Sequence, residues 1–211
     1  MLFRSEDVVN ASELPAYLTG SYSATADITL KALYEHVETS EAGYALLTEA
    51  PESWEGSYVI TKGNTDALVA LRGLVGTKKY ETVTAGGAAP FAETGMTLDG
   101  TTLTNVDDVY VFTVTANGDK FVVQNVKNGT YLANRGSYLY SYKTLTASYC
   151  LWSFTMNEGA VDATNTSSKM RPYLTFSTTK NYFMVDRSAE GIFFWKMGET
   201  TSTTVYTTTI D

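Results

Sequence analysis

From residue 43 onward the chain is a series of short runs in which apolar and polar residues alternate, separated by turn residues. The runs VYVFTVTA, KFVVQNV and TYLAN are divided by Asn117-Gly118 and Asn128-Gly129. Asn-Gly between alternating runs is the strongest short-range signal for a β-hairpin. Further turn signals lie at Gly63-Asn64, Gly86-Gly87 and Asp99-Gly100. The pattern predicts an all-β domain in which helix is confined to short turns.

One of these segments recurs. Residues 57–70 (SYVITKGNTDALVA) resemble residues 120–133 (KFVVQNVKNGTYLA) at a constant offset of 63, since 121 − 58 and 131 − 68 give the same value. Self-similarity at a fixed offset indicates one supersecondary unit that is used several times and cannot bury its apolar face alone. We therefore expect the two segments to form equivalent strand pairs.

A third copy is weaker. Phe112 and Tyr131 recur as Phe154 and Tyr173, both at an offset of 42 (154 − 112 and 173 − 131). Phe112 is therefore expected to occupy the place equivalent to Phe154. Because side chains alternate along a strand, Trp152 and Phe154 are expected to point to one face, into the core.

The copies define three repeats at about 54–107, 108–149 and 150–197. Three such repeats predict a pseudo-threefold closed β structure, a β-trefoil-like barrel, in which closure removes the sheet edges. A two-sheet β-sandwich remains the alternative, because the first repeat carries a Gly/Ala insertion at Ala85–Ala92 that breaks the symmetry.

The charge of the chain excludes several partner classes. Its formal net charge is −8, and its longest basic run is Lys78-Lys79. Nucleic-acid binding needs clustered basic residues, so no nucleic-acid partner is expected, and an acidic chain is not attracted to anionic membranes. No apolar run approaches the roughly 18 residues of a membrane span, so no membrane insertion is expected.

The residues also argue against catalysis and metal binding. The single cysteine, Cys150, excludes an internal disulfide and a multi-Cys metal site, and is expected to be a small buried apolar residue. The single histidine, His36, lies near the N-terminus, and no Gly-x-Ser-x-Gly elbow or phosphate-binding loop is present. We expect no enzyme activity and no cofactor. A glycoside hydrolase stays an alternative, because it needs only two carboxylates.

Tyrosine-rich residues 134–142 (NRGSYLYSY) carry the binding signal. In a strand the three tyrosines share one face and Leu139 the other, so an inward Leu139 turns the aromatic face outward. Aromatic rings stack on the C–H face of sugars, and neighbouring short polar residues satisfy the hydroxyls. The alternative is that these tyrosines fill cross-strand pairs. The candidate ligand-binding residues are Asn134, Arg135, Tyr138, Tyr140 and Tyr142, with Asp186 and Arg187 at the matching place of the third repeat.

The N-terminal part resembles a known module. Residues 22–34 (YSATADITLKALY) resemble the closing strand of the internalin-type B repeat (the Listeria–Bacteroides repeat), a β-grasp-like module of bacterial surface proteins that typically ends TADTTLYAVY. Only the last third of that module matches, so residues 1–40 are expected to be its truncated end. Residues 1–5 are expected to be a scar on a truncated metagenomic reading frame, because Leu2–Ser5 reads as the translated end of a common sequencing adapter.

The rest of the chain resembles a second module. Residues 44–60 (YALLTEAPESWEGSYVI) are similar to the opening, with the pattern PxxWxGxYLIV, of a β-rich module that follows such repeats in large secreted and surface proteins of gut Firmicutes. The ending at residues 182–196 is also similar, so the resemblance covers residues 43–197. The Thr-rich residues 198–211 are expected to be a linker or an edge strand through Val205 and Tyr206.

These resemblances imply a secreted or cell-surface location. They imply that residues 43–197 are a non-catalytic extracellular module that binds glycan or adheres to a host surface, beside neighbouring modules of the same polypeptide. A purely structural spacer that presents the neighbouring domains is the alternative.

Overall fold

The computed structural model describes residues 43–74, 79–165, 167 and 169–198, and the backbone of three strands outside those ranges. In chain order the strands are β1 (Phe3–Arg4), β2 (Lys31–Thr39), β3 (Tyr44–Leu46), β4 (Gly56–Lys62), β5 (Val69–Leu71), β6 (Tyr80–Thr82), β7 (Ala88–Pro90), β8 (Thr97–Asp99), β9 (Thr102–Thr104), β10 (Val111–Asn117), β11 (Lys120–Asn125), β12 (Tyr131–Asn134), β13 (Leu139–Tyr142), β14 (Trp152–Asn157), β15 (Ala160–Asn165), β16 (Tyr173–Ser177), β17 (Tyr182–Asp186), β18 (Ile192–Met197) and β19 (Ser202–Thr209). Helix among the described residues is limited to a 3₁₀ turn and two four-residue helices, Ala85–Gly87, Phe91–Thr94 and Ala147–Cys150.

The chain divides into two compact units, one of residues 1–41 and 200–211 and one of residues 42–199. In the first unit β2 pairs antiparallel with β1 on one side and with β19 on the other. Within the described part of this sheet β19 pairs with β2 alone, and the linker or edge-strand role of residues 198–211 stays a prediction. The segment that resembles the closing strand of a B repeat is residues 22–34. Residues 22–30 lie outside the described residues, and residues 31–34 are the first four residues of β2.

Six strands of the second unit close an antiparallel barrel in the order β4, β10, β11, β14, β15, β18 and back to β4. The ring closes where Phe194 of β18 lies opposite Ile60 of β4. Closure pairs each of the six strands on both sides, which removes the open edges of a flat sheet. The predicted closed all-β structure is confirmed. The sandwich alternative is wrong, because one ring encloses the core where two stacked sheets would be needed.

The segments that connect the barrel strands form further antiparallel strand pairs outside the ring. β5 pairs with β7, β12 with β13, and β16 with β17. The two copies of the repeated segment occupy β4 with β5 and β11 with β12, in each case a barrel strand with its outer partner. The first repeat has the longest excursion. Its β6 pairs with β13, and its β8 and β9 extend the sheet beyond β3.

The register of the barrel hairpins differs from the expected offset of 42. The β10–β11 and β14–β15 hairpins both have two-residue turns. Phe112, opposite Asn125, lies as many residues before its turn as Trp152, opposite Asn165, does before its own. Phe112 therefore occupies the position equivalent to Trp152. The expectation that Phe112 takes the place of Phe154 is therefore wrong by two residues. The offset between equivalent residues is therefore 40 in the barrel strands (152 − 112) and 42 in the outer strands that begin at Tyr131 and Tyr173 (173 − 131). The two offsets differ because the loop from the barrel strand to the outer strand is longer after β15 than after β11.

Aromatic side chains fill the barrel. Trp152 is fully buried, and its Nε1 donates a hydrogen bond to the carbonyl oxygen of Leu132 at 2.9 Å. Phe154 points into the same core, as alternation predicts. The half-buried Trp54 covers it, with ring centroids 5.3 Å apart. Cys150 is buried and free, as predicted.

Candidate functional site

The turn between β12 and β13 begins with an asparagine that is buried. Asn134 is fully buried, and its Nδ2 donates to the carbonyl oxygen of Arg171 at 2.7 Å while its Oδ1 accepts from the N–H of Gly136 at 3.0 Å. Buried amides need partners of this kind. Asn134 therefore lies inside the domain and not at the rim of a site, where it was predicted. It holds the turn that presents Arg135 and Tyr138.

The alternation along β13 is as predicted. Leu139 is buried in the core, and the three tyrosines lie on the other face with successive ring centroids 6.3 Å and 6.1 Å apart, edge to face. Their exposure is unequal. Tyr138 is 55% exposed, Tyr140 is half-buried and Tyr142 is buried. The aromatic face is therefore open only at its Tyr138 end.

Tyr142 is covered by a strand of the first repeat. Tyr80 of β6 is its cross-strand partner, and the two rings are stacked with centroids 5.1 Å apart. Tyr149, from the helix Ala147–Cys150, covers Tyr142 from another side at 6.1 Å. At this end of the face the cross-strand alternative is confirmed. We name these five residues the tyrosine cluster: Tyr80, Tyr138, Tyr140, Tyr142 and Tyr149.

Arg135 is exposed and lies against this cluster. Its Cζ is 5.3 Å from the ring centroid of Tyr80 and 5.7 Å from that of Tyr149, within the range of cation–π attraction. A side-chain hydrogen bond with Tyr80 raises the pKa of Arg135. Burial raises the pKa of Tyr142, and the nearby Arg135 charge opposes that rise. The contacts with the rings of Tyr80 and Tyr149 therefore hold the Arg135 guanidinium in place at the surface.

A cavity of about 280 Å³ opens beside Tyr138, between β13 and β17. Its lining residues are Val83, Ser137, Tyr138, Leu139, Arg171, Lys180, Tyr182 and Met184. The buried Val83 and Leu139 belong to the core, so they form the floor. Lys180 is exposed, and its Nζ lies 5.9 Å from the ring centroid of Tyr182. Aromatic walls, an apolar floor and cationic side chains therefore meet at one opening.

The second predicted pair lies apart from this opening. Asp186 ends β17 and Arg187 follows it, exposed, with its N–H donating to Oδ1 of Asp186 at 2.8 Å. Neither residue lines the cavity. Of the predicted set, Tyr138 lines the cavity, Tyr140 and Tyr142 belong to the tyrosine cluster, and Arg135 lies against that cluster. Asp186 and Arg187 lie at the end of β17.

Sequence reasoning missed Tyr80, Tyr149, Arg171, Lys180 and Tyr182. Each belongs to a strand, loop or helix that meets β13 only through the tertiary fold, so no local pattern marks them. Tyr182 is the exception, because it begins the strand that ends at Asp186, which was a predicted site residue.

The described part of the chain contains no group of three His, Cys, Asp or Glu side chains that could hold a metal ion. It also contains no helix that is long and apolar enough to cross a membrane. No protein-family model matches the chain, and no curated protein matches it.

Proposed function

We propose that residues 43–197 form a non-catalytic glycan-binding module of a secreted or cell-surface bacterial protein. The observation that carries this proposal is the exposed ring of Tyr138 at the opening of a cavity of about 280 Å³. A tyrosine that is 55% exposed beside a concave, mixed apolar and polar surface is a typical binding constellation. Location and neighbouring modules are proposed from the resemblance of residues 44–60 and of residues 22–34.

The same proposal includes a β-trefoil architecture. It is supported by a six-stranded ring that divides in chain order into three neighbouring strand pairs, β4 with β10, β11 with β14 and β15 with β18, each of which encloses one outer pair in the sequence, β5–β7, β12–β13 or β16–β17. These three units are shifted along the chain from the repeats at about 54–107, 108–149 and 150–197. β6, β8 and β9 are then insertions into the first repeat. In this arrangement the cavity lies between the outer pairs of the second and third repeats.

The chemistry of the cavity fits a sugar ring. Tyr138 and Tyr182 offer aromatic faces to the C–H side of a pyranose, and Ser137 and Lys180 offer donors to its hydroxyls. One exposed ring and a few hydrogen bonds give only a few kcal/mol, so single-site affinity is expected near the millimolar level, about −4 kcal/mol. Multivalent display is therefore the suitable assay. The cavity lining in the described structure contains no Asp or Glu, so nothing there favours the hydrolase alternative.

A glycan array probed with a multimerised form of the protein tests the proposal. Tyr138→Ala should abolish binding, while Val126→Ala, at another exposed apolar residue, should not change it. Both variants should melt like the original protein, since neither residue is buried. An array without any bound glycan would favour the structural spacer.

A further inference from the structure

We infer that the ligand of the cavity is a glycan that ends in a 6-deoxyhexose, whose C6 methyl group lies on the apolar floor. This rests on the proposed glycan binding and narrows it to one class of sugar. The exposure and the polarity of the lining residues decrease together from the opening to the floor. Ser137, Tyr138 and Lys180 are exposed at the opening. Val83 and Leu139 are buried at the floor.

The floor offers little to a sugar hydroxyl. Val83 and Leu139 are only 3% and 1% exposed, and both belong to the core. The N–H of Val83 already donates to the carbonyl oxygen of Leu139 at 2.8 Å. Arg171, which also lines the cavity, interacts with other groups of the protein. A hydroxyl on the floor would therefore lose its water without gaining a partner, whereas a methyl group would be stabilised there.

Met184 extends the apolar surface from the floor towards the opening. Along β17 the half-buried Tyr182 and Met184 both line the cavity, and Phe183 between them is fully buried. Alternation along the strand thus gives β17 one face towards the cavity and one towards the core. Because a thioether side chain is flexible and polarizable, Met184 can follow the shape of a methyl group.

The equivalent position of the neighbouring hairpin carries a tyrosine. Tyr138 and Tyr182 each lie four residues before the partner of the first tyrosine of their hairpin (142 − 138 and 186 − 182), so they are equivalent. By the same count Tyr140 is equivalent to Met184. Tyr140 belongs to the tyrosine cluster and does not line the cavity, whereas Met184 does. A tyrosine in place of Met184 would bring a hydroxyl group, so the methionine keeps this wall apolar.

A methyl group bonded directly to the sugar ring fits this arrangement best. An unmodified hexose carries CH2OH at C5, whose hydroxyl would need a partner on the floor. An N-acetyl group has a methyl group, but its amide would also need partners. A 6-deoxyhexose such as fucose or rhamnose brings the methyl group alone, and its ring hydroxyls would then point to Ser137 and Lys180. At about 280 Å³ the cavity lies just below the range of about 300–1,000 Å³ for larger ligands, so it suits one terminal sugar.

Matched methyl glycosides test this inference by titration followed with protein NMR. The pairs are L-fucose with L-galactose and L-rhamnose with L-mannose, whose members differ only in the C6 hydroxyl. We expect the 6-deoxy member of at least one pair to bind about tenfold more tightly, which corresponds to about 1.4 kcal/mol. In saturation-transfer spectra its C6 methyl protons should receive the largest transfer from the protein.

Variants assign the preference to the cavity. Met184→Gln has a side chain of similar length with a polar end, so it should remove most of the preference, because the C6 hydroxyl then gains a partner. Met184→Leu keeps the wall apolar and should retain the preference. The matched control is Met197→Gln, at an exposed methionine of β18 that does not line the cavity. Tyr138→Ala should weaken both members of a pair alike. Thermal melting of each variant checks that it is folded.

The outcomes are distinct. Equal binding of both members of every pair, with glycans still bound on the array, would overturn the 6-deoxyhexose inference and leave glycan binding intact. Absence of binding for every probe and on the array would overturn both. A preference that persists in folded Met184→Gln would place the methyl group elsewhere and overturn the inference. Loss of array binding after enzymatic removal of terminal 6-deoxyhexoses would support it, and binding that survives this removal would contradict it.

Discussion

The ring of Tyr80 lies flat on the ring of Tyr142, with centroids 5.1 Å apart and planes inclined by 18°. The two residues are directly opposite each other in β6 and β13, although they belong to different repeats. Strand β6 thus covers one end of the aromatic face of β13. This leaves Tyr138 as the open end of that face.

Replacing Tyr80 tests this covering role. Tyr80→Ala should lower the free energy of unfolding by about 0.5–1.5 kcal/mol beyond the loss of buried area, because the stacked ring is removed. Urea denaturation measures the change. Tyr80→Phe is the control, since it keeps the ring, and it should cost much less. An equal loss in both variants would attribute the effect to the hydroxyl and its contact with Arg135.

The barrel core should depend on Trp152. Trp152→Ala should lower the free energy of unfolding by about 3–5 kcal/mol, because it opens a cavity and leaves the Leu132 carbonyl without its 2.9 Å donor. That is a large share of the ~5–15 kcal/mol typical of a domain. Met170→Ala, at a side chain that is 67% exposed, should change it by less than about 0.5 kcal/mol. Similar melting temperatures for the two variants would contradict the burial of Trp152.

A close approach between a glycine and a buried amide gives a third prediction. A Cβ on Gly73 would overlap the side chain of Asn125, whose Nδ2 donates to the carbonyl oxygens of Val109 and Val111 at 2.9 Å each. Gly73→Ala should therefore destabilise the domain by about 1–3 kcal/mol. Gly86→Ala is the control, because a Cβ there meets no atom within 4 Å. Comparable stability of the two alanine variants in urea would rule out the overlap.

The buried phenol of Tyr58 predicts the alkaline behaviour. Its Oη has no hydrogen-bond partner among the described residues, and burial raises the pKa from 10.0 to about 12. Between these values the unfolded phenol has lost its proton and the folded one has kept it. The unfolded state then binds fewer protons, so stability falls as the pH rises through this window.

Tyr58→Phe should remove part of this fall, and at neutral pH it should keep or raise stability, because an unsatisfied buried hydroxyl is lost while the ring stays. Some slope should remain, since burial also raises the pKa of Tyr44 and Tyr142. Urea unfolding across the alkaline range measures the slope. Val126→Ala, at an exposed residue that carries no titratable group, should not alter it. An unchanged slope in Tyr58→Phe would contradict the raised pKa.

Much of the fold follows from local sequence patterns. The hairpin at Gly118 forms because a glycine at positive φ fits a two-residue turn, and alternating residues on both sides set its register. The inward Leu139 and the buried Trp152 follow from the period of a strand. The two copies of the repeated segment each form a barrel strand with its outer partner, because similar segments bury similar faces.

The candidate site depends on the tertiary structure. Asn134 reads as a rim residue in sequence, but the Arg171 carbonyl satisfies its amide inside the domain. Tyr138 and Tyr142 are equivalent in the strand pattern, yet Tyr138 is exposed and Tyr142 is buried, because Tyr80 of β6 and Tyr149 pack on Tyr142. A local pattern determines which face of a strand a side chain takes. Whether that face is then covered is decided by segments distant in the chain, because burial and hydrogen bonding depend on which backbone arrives beside it.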